Sequence, residues 1–257
     1  MSEPSGPPSY GSAPPPEGGQ PPPPPPPPPS TPGRYDGTDR AFSAPDAISW
    51  GWAKFKENVG QLLLAVLIII GVAIVVGIVS SIIAPSNGMY GTGGFELSVG
   101  SLIGSLIVNA IGGAVEFVVS VAIARAVIDV TEGQKFEIGP AFGRINVANA
   151  AIAGLILGAL YAIGFALFFL PGLIVAFFAY FTSYFVAEGT SPVDAIKESF
   201  GLVAANLGDS LLLAILSILV IIAGVIALCV GIFVAIPITM LAAGYAYRKF
   251  RGQPVAA

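Results

Sequence analysis

One amide and two ionisable side chains lie within one apolar stretch that runs from residue 99 to residue 128: Asn109, Glu116 and Arg125. Asn109 and Glu116 are seven residues apart, which places them on one face of a helix. Glu116 precedes Arg125 by about 13 Å along the helix axis, at about 1.5 Å per residue. In a membrane, a carboxylate at that depth is costly and indicates a functional site. We predict a candidate intramembrane polar site of these three residues. A protonated Glu116 that hydrogen-bonds a neighbouring helix is the alternative.

The composition excludes much of the usual chemistry of active sites. The chain contains no histidine and a single cysteine, Cys229, which removes histidine catalysis, histidine metal ligands and disulfide frameworks. The carboxylates Asp194 and Glu198 are four residues apart on an exposed helix face, where solvation is the simpler explanation. The eleven lysines and arginines are scattered and form no basic stripe for nucleic acid. We expect no catalytic residue, no cofactor, no metal site and no nucleic-acid partner.

The elements that carry these residues are membrane-length apolar segments. Of the 257 residues, 54% are hydrophobic and 10% are charged, whereas about 25% of a soluble domain is charged. Apolar runs of about 20 residues are typical of transmembrane helices. The sequence predicts an all-α integral membrane protein over residues 43–251, with the lipid bilayer as its surroundings. Its six transmembrane helices cover residues 61–84, 99–128, 147–169, 173–186, 209–227 and 231–247.

A pattern that occurs twice precedes the first and fifth spans. Residues 45–59 and 192–207 each predict an amphipathic helix that begins with a serine cap and carries one apolar stripe. The two stripes are 148 residues apart and consist of Pro45, Ile48, Trp52, Phe55 and Val59, and of Val193, Ile196, Phe200, Val203 and Leu207. A shortened third copy is suggested before span three, at residues 140–145. We expect these helices to be interfacial, with Trp50 and Trp52 at headgroup depth; packing on a soluble partner is the alternative.

Residues 1–42 form a proline-rich tail. Sixteen of the 23 prolines fall within the first 40 residues, including the unbroken run 21–29. Such a segment cannot bury enough apolar surface to offset chain entropy, so we predict a disordered tail. The proline run predicts a polyproline II rod of about 28 Å, at about 3.1 Å per residue. The tail is either a solvated spacer or a docking ligand for a protein partner.

The positive charges indicate how the chain is oriented. All eleven lysines and arginines precede span one, lie at or between the facing ends of spans two and three, lie between spans four and five, or follow span six. The positive-inside rule therefore places the N-terminus and the C-terminus in the cytoplasm. Both copies of the repeat enter the membrane from the same side, unlike the inverted repeats of many transporters.

Four motifs together resemble a known family. They are Leu170-Pro171-Gly172, Glu188-Gly189-Thr190-Ser191-Pro192, Asn206-Leu207-Gly208, and Ala246-Tyr247-Arg248 followed by Gly252-Gln253-Pro254. This combination resembles a broad family of poorly characterised bacterial six-span membrane proteins, related to the membrane domain of some glycerophosphodiester phosphodiesterases. The proline-rich tail resembles that of the actinobacterial members. The resemblance implies the six-span fold and no catalytic residues, because the phosphodiesterase domain itself is absent.

These features favour a non-enzymatic, multi-pass inner-membrane protein that acts as a scaffold or assembly partner in membrane or envelope maintenance. The proline-rich tail, the surface helices and the lack of reactive groups support this interpretation. A lipid or small-solute transporter, with Glu116 and Asn109 lining a cavity, is the alternative. An enzyme acting on lipids is a third hypothesis, which lacks an acid–base pair near any candidate site.

The orientation is testable with reporter fusions. Fusions after Val130 and Gly208 are expected to report the cytoplasm, and fusions after Ala84, Pro171 and Cys229 the opposite side, because basic residues are retained in the cytoplasm. A reporter that is active only outside, paired with one that is active only inside, measures each position. An outside signal after Val130 would contradict the orientation.

Overall fold

In a computed structural model of the chain, the described residues are 42–83, 99–167, 169–227 and 231–256. Within these ranges the chain forms ten α-helices and no strand, which confirms the all-α class. The helices are α1 (Ala44–Glu57), α2 (Val59–Ile83), α3 (Val99–Thr131), α4 (Ile138–Arg144), α5 (Val147–Leu167), α6 (Phe169–Phe178), α7 (Thr182–Ala187), α8 (Pro192–Ala205), α9 (Leu207–Ile226) and α10 (Ile232–Phe250).

Five segments of the described chain are long and apolar enough to cross a membrane. They are Val59–Ile82, Ala110–Thr131, Val147–Gly164, Phe169–Ala187 and Leu207–Ile226. The sixth expected span corresponds to α10, which contains Pro237 and carries Arg248 and Lys249 in its last turn. Because these residues lower its apolar character, α10 is not among the five, and the sixth span stays a prediction.

The outward sides of these helices are apolar. More than half of the surface of Leu67, Ile74 and Ile82 is exposed on α2, and the same holds for Ile218 and Ile226 on α9. A soluble protein rarely exposes a contiguous apolar surface of this extent. The surface is consistent with a lipid bilayer around the helices.

The core is built around the C-terminal half of α3. Every residue of 121–131 except Arg125 is buried. Helix α10 crosses α3 here at Gly244, where an added Cβ would lie 2.2 Å from Cγ1 of Val127. Glycine therefore lets the two backbones approach more closely than any other residue would at this position.

Helix α1 packs on α10 through a face of small residues. Its buried residues are Ala44, Ala47, Gly51 and Phe55. A Cβ added to Gly51 would lie 2.7 Å from the backbone oxygen of Ile238. The predicted apolar stripe is only partly buried, since Trp52 is 47% exposed. Small residues form the contact because larger apolar side chains would keep the two helix backbones apart.

Helix α8 repeats α1 in register. Its buried residues are Ala195, Ser199 and Val203, each 148 residues after a buried residue of α1. Here too the predicted stripe and the buried face differ, because Val193 and Leu207 remain about half exposed. The repeat noticed in the sequence therefore extends to which residues are buried.

The same repeat governs how the two amphipathic helices begin and end. Ser43 and Ser191 each accept the backbone N–H of the residue three positions on, at 3.4 Å. Asn58 and Asn206 each donate their side-chain amide to a carbonyl four residues back, at 3.0 and 2.9 Å. Helix α4, where the shortened third copy is expected, has no side-chain cap at Glu137.

The fourth expected span is broken into α6 and α7 by a turn at residues 179–181. The hydroxyl of Ser199 donates to the carbonyl of Phe178 at 2.8 Å and accepts the N–H of Phe181 at 3.0 Å. It thereby satisfies two backbone groups that the break removes from the helical ladder. The sequence leaves residues 170–172 between spans three and four. In the structure Pro171 lies in the first turn of α6, where a backbone N–H has no intrahelical acceptor, so its absence costs no hydrogen bond.

A short segment after α10 packs between α1 and α3. The backbone N–H of Ala256 donates to the carbonyl of Thr131 at 2.8 Å. The indole Nε1 of Trp50 donates to the carbonyl of Ala256, also at 2.8 Å, and its ring lies 5.5 Å from that of Tyr245. Trp50, expected at headgroup depth, therefore serves to hold this segment against the helices.

Several expectations concern parts of the chain outside the described residues. They are the tail as far as residue 41, the first outer connection at residues 84–98, the segment around Cys229, and the side chain of Asn109.

The contact between α1 and α10 is testable with Gly51→Ala. The added Cβ must displace backbone atoms, so we expect a loss of about 1–3 kcal/mol of stability, seen as a lower melting temperature in detergent. Gly201→Ala is the matched control, because Gly201 lies in α8 with no atom within 4 Å of an added Cβ. That control should stabilise the helix by up to about 1 kcal/mol. Equal melting temperatures for the two variants would contradict the packing described here.

Candidate functional site

Glu116 lies exposed on the outer surface of α3. Arg125 is largely buried and is directed to Asp129, with an Nη2–Oδ1 distance of 2.7 Å. The structure therefore does not bring Glu116 and Arg125 together. The side chain of Asn109 lies outside the described residues, so its pairing with Glu116 stays a prediction.

Three small residues on the side of α3 that carries Glu116 are at least partly exposed. Ala110 and Ser120 are exposed, and Gly113 is partly exposed. The spacings of three, three and four residues place these residues and Glu116 on one side of the helix, and we call the four residues the α3 strip. A Cβ at Gly113 would meet no neighbouring atom within 4 Å. Small residues beside a polar group are typical of surfaces through which membrane helices contact each other.

A buried carboxylate holds two arginines at the end of α3. Asp129 Oδ1 accepts hydrogen bonds from Arg125 Nη2 at 2.7 Å and from Arg144 Nη1 at 3.0 Å, while Oδ2 accepts from Arg144 Nη2. The hydrogen bonds that Arg144 donates to Asp129 raise the pKa of Arg144 above its ordinary value. Glu132 Oε2 lies 3.8 Å from Arg125 Nη2. Because Asp129 is bonded twice by Arg144, it ties α4 firmly to α3.

Two further ion pairs join α10 to the same end of the helices. Arg248 Nη1 lies 3.1 Å from Glu132 Oε1. Glu188, which follows α7, accepts a hydrogen bond from the hydroxyl of Tyr247 at 2.8 Å and forms an ion pair with Arg251. The ends of α3, α4, α7 and α10 thus share one polar layer.

A cavity of about 310 Å³ opens within this polar layer. Its lining residues are Arg125, Arg144, Asn146, Val186, Ala187, Glu188 and Gly189. Asn146 caps α5, since its Oδ1 accepts the N–H of Asn149 at 3.0 Å. The cavity therefore combines two guanidinium groups with the start of a helix, and both favour anions. In the described part of the chain, no three or more His, Cys, Asp or Glu side chains form a cluster that could hold a metal ion.

Of the charged residues that form the ion pairs of this layer, the predicted site contains Arg125 alone. The spacing of Arg125 and Asp129, four residues apart, is a signal that could have indicated the first ion pair. Glu188 has its partners 59 and 63 residues later in the chain. No local spacing indicates contacts over such separations, so only the packing of α7 on α10 reveals them.

Comparison with known proteins finds relatives in mycobacteria. An uncharacterized protein of Mycobacterium bovis and uncharacterized proteins of two strains of Mycobacterium tuberculosis are each 32% identical to the chain over 228 residues. The matched region is 83% of this chain and 70% of each relative. No family model matches the chain, and no solved structure matches it. The expected relation to the membrane domain of some glycerophosphodiester phosphodiesterases stays a prediction.

The role of Asp129 is testable by Asp129→Asn. The variant leaves two arginines without their shared counter-charge, so we expect a loss of about 3 kcal/mol of stability, measured by thermal unfolding in detergent. Glu57→Gln is the control, because the side chain of Glu57, which pairs with Lys54, is 59% exposed and an exposed ion-pair partner contributes under about 1 kcal/mol. If Asp129→Asn and Glu57→Gln have the same melting temperature, the ion pairs of Asp129 do not stabilise the helix ends.

Proposed function

Because the chain belongs to the same family as these uncharacterized mycobacterial proteins, we propose that it is a non-enzymatic, multi-pass protein of the bacterial plasma membrane. Its proposed role is that of a scaffold or assembly partner in membrane or envelope maintenance. Five helices that are long and apolar enough to cross a membrane support the location. The absence of histidine from the chain, and the pairing of Arg125, Asp129 and Glu132 with one another, support a role without catalysis.

The proposed topology has six spans, with α10 as the sixth and both termini in the cytoplasm. The hydrogen bonds of Ala256 to Thr131 and to Trp50 support it, since they join the segments before span one, after span two and after α10. A chain that returns to the same end must cross an even number of times. The three apolar segments Val147–Gly164, Phe169–Ala187 and Leu207–Ile226 therefore require a fourth crossing, which α10 supplies. The amphipathic helices α1 and α8 would then lie at the cytoplasmic interface, where the exposed Trp52 suits the headgroup region.

The observation that carries the assembly role is the exposure of Glu116 on α3. Glu116 belongs to Ala110–Thr131, one of the five membrane-length segments. A carboxyl group facing hydrocarbon is costly unless a neighbour satisfies it. The small residues Ala110 and Gly113 leave room beside it for a second helix. These features support lateral contact between the α3 strip and a transmembrane helix of another protein.

The partner helix that we propose carries a hydrogen-bond donor or a basic group opposite Glu116. A symmetric pair of two copies would bring two carboxyl groups together, which is unfavourable while both are charged. The transporter alternative has less support, because Glu116 lies on the outer surface and Arg125 is paired with Asp129. The proline-rich tail, outside the described residues, is proposed as an additional cytoplasmic docking segment.

Crosslinking in living cells tests this contact. A photo-crosslinking residue at Ser120, within the α3 strip, is expected to capture a discrete membrane protein, whereas one at Ile218, exposed on α9, is not. Adding Glu116→Leu should lower the yield severalfold, since a hydrogen bond between membrane helices contributes about 1 kcal/mol. Glu116→Gln should retain most of it.

The control for the tail is a chain that lacks residues 1–42. It should keep the Ser120 crosslink, because that contact lies in the membrane, and lose only partners captured by the tail. If Glu116→Leu is expressed normally and gives an unchanged Ser120 crosslink, Glu116 does not take part in the contact. Capture of a second copy of the chain would replace the proposed partner with a homodimer.

A further inference from the structure

The polar layer at the helix ends is rich in arginines. Its ion pairs contain four arginines, Arg125, Arg144, Arg248 and Arg251, and three carboxylates, Asp129, Glu132 and Glu188. Asp129 is shared between two arginines, and Glu132 is shared between two. Because two carboxylates each serve two arginines, the arginines have N–H groups left for a further anion.

The arginines of the cavity have donors to offer such an anion. The Nε of Arg125 is buried and has no hydrogen-bond acceptor among the described residues. The side chain of Arg144 is 43% exposed although it is paired with Asp129. A guanidinium group presents its N–H donors in a planar fork that matches the oxygens of a phosphate. Both residues line the same cavity.

The start of α5 adds to the attraction. Asn146 lines the cavity and caps this helix of 21 residues. The first N–H groups of a helix have no intrahelical acceptor and carry a partial positive charge. A phosphate placed here would meet two guanidinium groups and a helix start, a combination that recurs in phosphate sites.

The acidic residue of the cavity does not oppose this arrangement strongly. Glu188 also lines the cavity, but its carboxylate accepts the hydrogen bond of Tyr247 and is paired with Arg251. Its charge is thus offset by Arg251. At about 310 Å³, the cavity is as large as small ligand pockets, which begin at about 300 Å³.

From this geometry we propose that the cavity between α3, α4, α5 and the end of α7 binds a phosphate-bearing anion. Arg125 and Arg144 bind its oxygens, and the start of α5 orients it. The anion is either the phosphate of an anionic lipid headgroup or a soluble phosphate compound. The lipid source rests on the proposed topology, in which these helix ends lie at headgroup depth. The charge and the donors do not depend on that topology.

Thermal unfolding of the purified full chain in an uncharged detergent tests the site. One arm adds phosphatidylglycerol, with phosphatidylcholine as its control. The other arm adds sodium phosphate, with sodium chloride at equal ionic strength as its control. A ligand that binds only the folded state raises the melting temperature with concentration, and the dependence gives its affinity.

Asn146→Asp is the decisive variant. Aspartate caps a helix as well as asparagine does, so the fold is retained while a negative charge is added at the cavity. We expect the affinity for the stabilising ligand to fall about tenfold, the effect of one lost charged hydrogen bond. Arg144→Gln should weaken it at least as much. Ser49→Asp, exposed on α1, adds the same charge to a helix that contributes nothing to the cavity and should bind like the unmodified chain.

The outcomes separate the two sources. Stabilisation by phosphatidylglycerol alone assigns the site to a lipid headgroup. Stabilisation by sodium phosphate alone assigns it to a soluble phosphate compound. Stabilisation by both shows that the site binds the phosphate group of either source. If neither arm stabilises the chain, or if Asn146→Asp binds as tightly as Ser49→Asp, the proposal is overturned. The Ser120 crosslink is measured in a separate experiment. A negative result for anion binding therefore does not decide the proposed assembly role.

Discussion

Two guanidinium groups, from Arg125 and Arg144, converge on the buried carboxylate of Asp129 at the end of α3. A buried aspartate is stable only while such partners remain in place, so the position of α4 and the end of α3 depend on each other. Glu132 extends the same network to α10 through Arg248. Apolar helices in lipid gain little from apolar contact alone, because lipid tails are equally apolar. Polar contacts at one end therefore determine which helices lie side by side.

Close backbone approach also determines which helices lie side by side. It acts along the length of the helices, whereas the ion pairs act at their ends. Gly244 lets α10 cross α3 at Val127, and Gly51 lets α1 lie on the backbone of α10. The two amphipathic helices use equivalent residues for this purpose, with Ser199 of α8 occupying the position of Gly51. Ser199 also has a second role. Its hydroxyl hydrogen-bonds the carbonyl of Phe178 and the N–H of Phe181 at the turn between α6 and α7. One repeated segment thus supports two different local structures.

The proposed interactions fall on two separate parts of the molecule. The α3 strip faces outward on a membrane-length helix, where an exposed Glu116 needs a partner. The cavity lies at the helix ends, where Arg125 and Arg144 share the carboxylate of Asp129. Arg125, which the sequence groups with Glu116, belongs to the cavity. The proposed contact and the proposed anion therefore involve the same helix, α3, at its middle and at its C-terminal end.

Apolar length and repeated spacing are local properties, so the sequence alone determined the all-α class, five membrane-length helices, the serine caps and the 148-residue repeat. The pairing of Arg125 with Asp129 was also within its reach, at four residues. Tertiary structure alone decided that α1 is buried mainly through small residues, with Phe55 the buried member of its apolar stripe, that Glu116 faces outward, and that Glu188 contacts Tyr247. Each of these depends on which helices lie side by side. A periodic pattern shows that a helix has an apolar face but not which neighbour comes close enough to cover it.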